Sequence, residues 1–137
     1  GHILAGAFSA TILGYFGAQV IKVEPPKDGD PIRNWRTVKN GTSLWWWSLG
    51  RNKKSITVNL KSKKGQQIIR DLCRHCDVLI ENFRPGQMES WNLGPNDIKK
   101  VNNDLIYTRI SGLVRQVLIP KSLVSHLYAR VLADFVT

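Results

Sequence analysis

The stretch "SITVNLKSKKGQQIIRDLCRHCDVLIEN", Ser55 to Asn82, decides the fold. "SITVNL" (Ser55–Leu60) is rich in β-branched residues and partly alternating, the pattern of a strand. "SKKGQQIIRDLCRHC" (Ser62–Cys76) changes to a helical period, with Ser62 as its cap. Its inward face is predicted to be Ile68, Ile69, Leu72 and Cys76. "DVLIEN" (Asp77–Asn82) is a compact strand with an apolar centre. Strand, helix and strand in this order predict a β-α-β unit with parallel strands.

Toward the N-terminus, "AGAFSATILGYFGAQ" (Ala5–Gln19) reads as a buried helix ending near Gly17, with Phe8, Ile12, Tyr15 and Phe16 near one face. "VIKVE" (Val20–Glu24) is a strand stopped by Pro25 and Pro26, and "PPKDGDPIRNW" is a loop. "TSLWWWSLG" (Thr42–Gly50) predicts a short helix capped by Thr42 or Ser43. Toward the C-terminus, "QMESWNLG" and "PNDIKKVN" predict short helices, Pro95 suiting a first turn, and "DLIYTRIS" a further strand. The alternation predicts an α/β class, with a parallel sheet covered by helices on both faces. The first helix has no strand before it. The chain also begins in mid-pattern without Met, so it reads as an incomplete piece of that sheet. Residues 1–112 are then part of a large domain, and 113–137 an apolar tail outside the pattern. In that tail Leu123, Val124, Leu127, Val131 and Phe135 share a possible helical face, and Pro120 interrupts it.

The 137 residues carry a formal charge of +10. All the excess lies between Pro31 and Arg70, where Arg33, Arg36, Lys39, Arg51, Lys53, Lys54, Lys61, Lys63, Lys64 and Arg70 occur without an Asp or Glu. A field localised in this way attracts an anion, and phosphate is the natural one. The apolar start is broken by Gly14 and Gly17 and lacks a basic leader, which argues against a membrane span or signal peptide. Cys73 and Cys76 form a single pair at a helix C-terminus, where neither zinc binding nor an activated thiolate is favoured. No phosphate loop of the Walker or dinucleotide type is present. His2, His75 and His126 have no readable Ser or Asp partners and read as surface histidines. No catalytic or metal-binding residue is assigned. Trp45, Trp46 and Trp47 point in three directions on a helix, so they predict packing with one ring at an edge rather than a base-stacking platform.

Ligands of open parallel sheets bind beyond the carboxyl ends of the strands. Three turns stand out there. "HILAG" offers free helix N–H groups, the turn after "SITVNL" offers Lys61, Lys63 and Lys64, and the turn after "DVLIE" offers Asn82, Phe83 and Arg84. Together they predict a pocket for a phosphorylated adenine nucleotide.

"LAG" (Leu4–Gly6), "LGYFGAQVIKVEPPKDGDPIRNW" (Leu13–Trp35), "RNKKSITVNLKSKKG" (Arg51–Gly65), "DVLIENFRPGQMESWNLG" (Asp77–Gly94) and "LIYTRISG" (Leu105–Gly112) occur in this order. The series resembles the class III coenzyme A transferases. The resemblance implies a Rossmann-like large domain and an interlaced homodimer. It implies coenzyme A or acyl-coenzyme A as substrate, with no covalently bound cofactor, and a small carboxylic acid as acceptor. Leu4 and Ala5 would line the start of the first helix. Val58 and Lys61 would meet the adenosine end, and Asn82 and Phe83 the nucleotide or pantetheine portion. A mitochondrial location is implied, or otherwise a cytoplasmic one. The chemistry implied is transfer through an aspartyl anhydride and an aspartyl thioester. The family's nucleophilic aspartate lies beyond the matched stretch, and Asp134 sits in no matching motif, so this chain is expected to be inactive alone. Three departures stand out. Ala7 replaces the family's Pro, Pro25 stands where an Arg is frequent, and Ser90 where a basic residue is. The competing reading is a non-enzymatic nucleic-acid-binding module using residues 31–70, with no membrane role.

Overall fold

A computed structural model describes residues 2–111. The elements follow the predicted order. They are α1 (Ala5–Tyr15), β1 (Val20–Glu24), a 3-10 turn (Pro31–Asn34), β2 (Val38–Lys39), β3 (Thr42–Ser43) and α2 (Leu44–Leu49). Then come β4 (Lys53–Thr57), α3 (Lys63–Cys73), β5 (Val78–Glu81), α4 (Gln87–Ser90), α5 (Pro95–Lys99) and β6 (Ile106–Arg109). β4, α3 and β5 are the strand–helix–strand series read from Ser55–Asn82, though β4 stops at Thr57 and Val58–Leu60 turn toward α3. β1 pairs with β4 in parallel, from Val20 opposite Lys53 to Glu24 opposite Thr57. β5 pairs with β6 in parallel, from Val78 opposite Ile106 to Glu81 opposite Arg109. The α/β class and parallel pairing hold. Among the described residues the strands form three separate two-stranded ladders, two parallel and the antiparallel β2–β3 pair, rather than one continuous sheet.

Local chemistry sets the element ends. Ser62 Oγ accepts the Gly65 N–H at 3.0 Å and starts α3. Ser43 Oγ does the same for Trp45 N–H at 3.1 Å in α2. α1 ends in a Schellman turn: Gly17 has φ +93°, its N–H bonds Gly14 O, and Ala18 N–H bonds Leu13 O.

Two clusters hold the molecule together. The larger contains Val58, Ile69, Cys73, Met88, Leu93 and Ile98, with Phe83 and Trp91 packed against it. The smaller contains Ala7, Ile32 and Leu49, with Leu4, Trp35 and Trp46 around it. The expectation of a buried α1 is corrected. Its inward side is the small residues Gly6, Ala7 and Thr11, while Phe8, Ile12, Tyr15 and Phe16 are 56%, 40%, 59% and 88% exposed. Small residues let α1 lie close to the end of α2, where Thr11 Oγ1 donates to Leu49 O, and the bulky face is left outside. In α3, Ile69 and Cys73 are buried as the period requires, but Ile68 lies at the rim, 40% exposed. No described helix is long and apolar enough to cross a membrane. The tail expectations, with His126 and Asp134, lie outside the described residues.

Candidate functional site

Asn82, at the carboxyl end of β5, reaches the residues preceding α1. Its Oδ1 accepts the His2 N–H at 2.7 Å, and its Nδ2 donates to His2 O at 2.9 Å. Phe83 meets the His2 ring edge-on at 5.1 Å and the Trp91 ring at 5.3 Å. Its N–H is held by Glu81 Oε2 at 2.8 Å. Asn82 and Phe83 are thereby joined through His2 to Leu4 and Ala5, two sequence-distant turns brought into one place. His2 is therefore not the surface residue expected, since its backbone and ring are both engaged.

Val58 and Lys61 stand on the neighbouring turn. Val58 is a core residue, 6% exposed, its N–H bonded to Glu24 O at 2.9 Å. It shares the larger cluster with Phe83, which links this turn to the first. Lys61 is exposed, and its N–H is fixed by Asn59 Oδ1 at 3.0 Å. Gly65 is needed beside it because a Cβ there would overlap the Asn59 carbonyl. The turn and the start of α3 are therefore in backbone contact, with Lys61, Lys63 and Lys64 exposed around them.

The basic window is only partly available to a ligand. Arg33 forms a two-point bridge to Glu24, with Nε at 2.7 Å and Nη2 at 2.8 Å, and its guanidinium lies 3.7 Å from the centre of the Trp46 ring. Arg70 donates to Gln67 and to Asn92 O. Lys53 Nζ donates to Ala7 O at 2.6 Å, Thr11 Oγ1 at 2.9 Å and Leu49 O at 2.6 Å. Burial and the charge of Lys22 push Lys53 down to about 8, against the pull of Asp30.

Beneath these turns lies a buried ionic layer that the sequence reading missed. Lys22, Glu24 and Asp30 are 6%, 1% and 0% exposed. Lys22 Nζ donates to Asp30 Oδ2 at 2.5 Å, and Asp30 also accepts the N–H groups of Ile32 and Ile3. Burial opposes ionisation of Asp30. Its contacts with His2, the Ile32 N–H and Lys22 outweigh that, holding it well below the usual carboxylate range. Burial likewise opposes ionisation of Glu24, but donors from Arg33, Ser55 and the Asp30 N–H hold it down at about 2. The available signal was the alternation in "VIKVE", which puts Lys22 and Glu24 on one face, with opposite charges at Asp30 and Arg33 in the next loop.

Burial, with Cys76 nearby, pushes the Cys73 thiol up to about 11, and burial beside Asp77 also raises Cys76. Both shifts run opposite to an activated thiolate. No group of potential metal ligands occurs among the described residues. In the tryptophan run only Trp46 is half-buried. Trp45 and Trp47 are 42% and 48% exposed, so two rings rather than one lie at the surface. Trp45 pairs with Trp35 at 5.6 Å.

Comparison with known proteins identifies the family. The succinyl-CoA–D-citramalate CoA-transferase of Chloroflexus aurantiacus is 50% identical over 113 residues, covering 82% of this chain and 28% of that protein. Human succinyl-CoA:glutarate CoA-transferase is 46% identical over 112 residues, covering 81% and 26%. A crystal structure of a CAIB/BAIF family protein from Brucella suis superposes with a TM-score of 0.78 at 34% identity, over 85% of this chain and 32% of that one. The chain thus spans about a quarter to a third of the length of these relatives. The family model for CoA-transferase family III matches residues 1–116, and this chain belongs to that family.

Proposed function

We propose that residues 1–112 form the coenzyme A-binding part of a transferase that moves coenzyme A between an acyl-coenzyme A and a small carboxylic acid. The observation that carries this reading is the joining of two carboxyl-end turns to the start of α1, through Asn82 on His2 and through the core shared by Val58 and Phe83. Leu4, Ala5, Asn82 and Phe83 would flank the ligand, with Lys61 at its phosphorylated end and Val58 supporting the turn from within. The whole enzyme would act through an aspartyl intermediate on an aspartate outside this chain, as an interlaced homodimer in the mitochondrion. Residues 1–112 would supply the binding and that aspartate the chemistry.

A nucleic-acid role for residues 31–70 has less support, because Arg33, Lys53 and Arg70 are engaged within the molecule. Calorimetry with coenzyme A and its 3′-dephospho form tests the proposal. Coenzyme A should bind more tightly, and Lys61→Ala should weaken it by about five- to thirtyfold, the range of one solvent-exposed charge-assisted contact. Equal affinity for the two forms would remove the cations from the 3′-phosphate. A steep loss of affinity for a single-stranded oligonucleotide with salt, alongside no coenzyme A binding, would favour the nucleic-acid reading.

A further inference from the structure

Ile3 has φ +58°, a left-handed conformation that a β-branched residue adopts only under constraint. The constraint has two parts. Asn82 takes both the N–H and the C=O of His2, at 2.7 and 2.9 Å. Asp30 takes the Ile3 N–H through both carboxylate oxygens, at 3.2 and 3.3 Å. Asp30 is fully buried and is itself fixed by Lys22 and the Ile32 N–H. Asn82 directly follows β5 of the β5–β6 ladder, while Asp30 lies in the loop after β1 of the β1–β4 ladder, and the two ladders share no strand. The His2–Ile3 turn is thus clamped between segments that follow the two parallel ladders. Immediately after it, Leu4 starts α1 without a side-chain cap, so the direction of the helix's first N–H groups depends on this turn.

We propose that Asn82 is a positioning residue: with Asp30 it holds the strained His2–Ile3 turn, and so orients the start of α1 toward coenzyme A instead of serving the ligand through its own amide. This rests on the coenzyme A reading above. Its distinctive consequence is coupling between Asn82 and Ile3. A clamp is needed because isoleucine resists positive φ, and glycine does not.

The 137-residue chain, Asn82→Ala, Ile3→Gly and the double variant would be titrated with coenzyme A by calorimetry, with thermal melts and Ile3 amide exchange followed in parallel. Asn82→Ala should bind about tenfold more weakly, as expected for two lost hydrogen bonds, and should expose the Ile3 amide to faster exchange. Adding Ile3→Gly to that variant should recover roughly several-fold of the affinity, giving a non-additive cycle. If Asn82→Ala melts too early to titrate, Asn82→Asp carries the same expectation, because it sets an oxygen against the His2 carbonyl where a donor stood. Unchanged affinity, or strictly additive losses, would overturn the proposal and make Asn82 a bystander or a direct contact. An unmodified chain that fails to bind coenzyme A sinks the coenzyme A reading and the positioning role together. Contrary results confined to the variants sink this inference alone.

Discussion

Glu24 and Asp30 are carboxylates in the interior, kept charged by named donors, and this makes the molecule sensitive to acid. In the folded chain both lie below their ordinary range, Glu24 at about 2. Between that value and the ordinary one of 4.5 the unfolded chain binds more protons than the folded chain. The stabilisation from these groups is therefore complete above about pH 5 and is lost as the pH falls from about 4 toward 2. Urea denaturation at pH 7 and pH 3 should show a drop, to which Glu24 contributes up to about 2 kcal/mol. In Glu24→Gln the pH dependence should shrink, while stability at pH 7 falls because Arg33 keeps its position without a counter-charge. A variant whose acid profile matches the unmodified chain would show that Glu24 is not the group being protonated.

Lys53 and Gly65 act on whole elements, one by reach and the other by absence. The Lys53 ammonium satisfies carbonyls on α1 and α2 together with Thr11 Oγ1, so it ties both helices to β4. Lys53→Met keeps the stem and removes the donors. It should cost about 1–3 kcal/mol, the range for losing hydrogen bonds from a charged donor, because the Thr11 hydroxyl can still donate to either carbonyl. A thermal melt that is unmoved would mean water replaces the ammonium fully. At Gly65 a methyl group has no room against Asn59, so α3 would have to move off its turn. The order of elements was legible because Ser55–Asn82 changes period twice and carries its own cap, Ser62. The Asn40-Gly41 turn between β2 and β3, with φ +52° and +75°, was equally legible as a two-residue hairpin and was not read. The burial of α1 was not legible from hydrophobicity, because the helix is apolar nearly all round and contact with α2 selected its smallest residues. Two turns of the candidate site were proposed from strand ends and the third from the start of the first helix, while the residues named within them came from the family resemblance. The clamp on His2 was not legible, since two residues far apart in sequence meet only after folding.

Among the described residues, α1 leaves an apolar face outside. Phe8, Ile12, Tyr15 and Phe16 recur at helical spacing along α1, and Phe16 is almost fully exposed. Contiguous apolar faces of this kind are uncommon on a monomer and drive association. The 137-residue chain should therefore associate with itself as its concentration rises, as read by sedimentation velocity. The double variant Phe8→Glu, Phe16→Glu should remain monomeric. Its melting temperature should stay close to the original, because neither ring belongs to either buried cluster. That pairing of outcomes separates a surface effect from damage to the fold. An unmodified chain that stays monomeric at every concentration would show that the face is covered or tolerated in water. Association that persists in the double variant would move the contact elsewhere, with the exposed rings of Trp45 and Trp47 the next place to look.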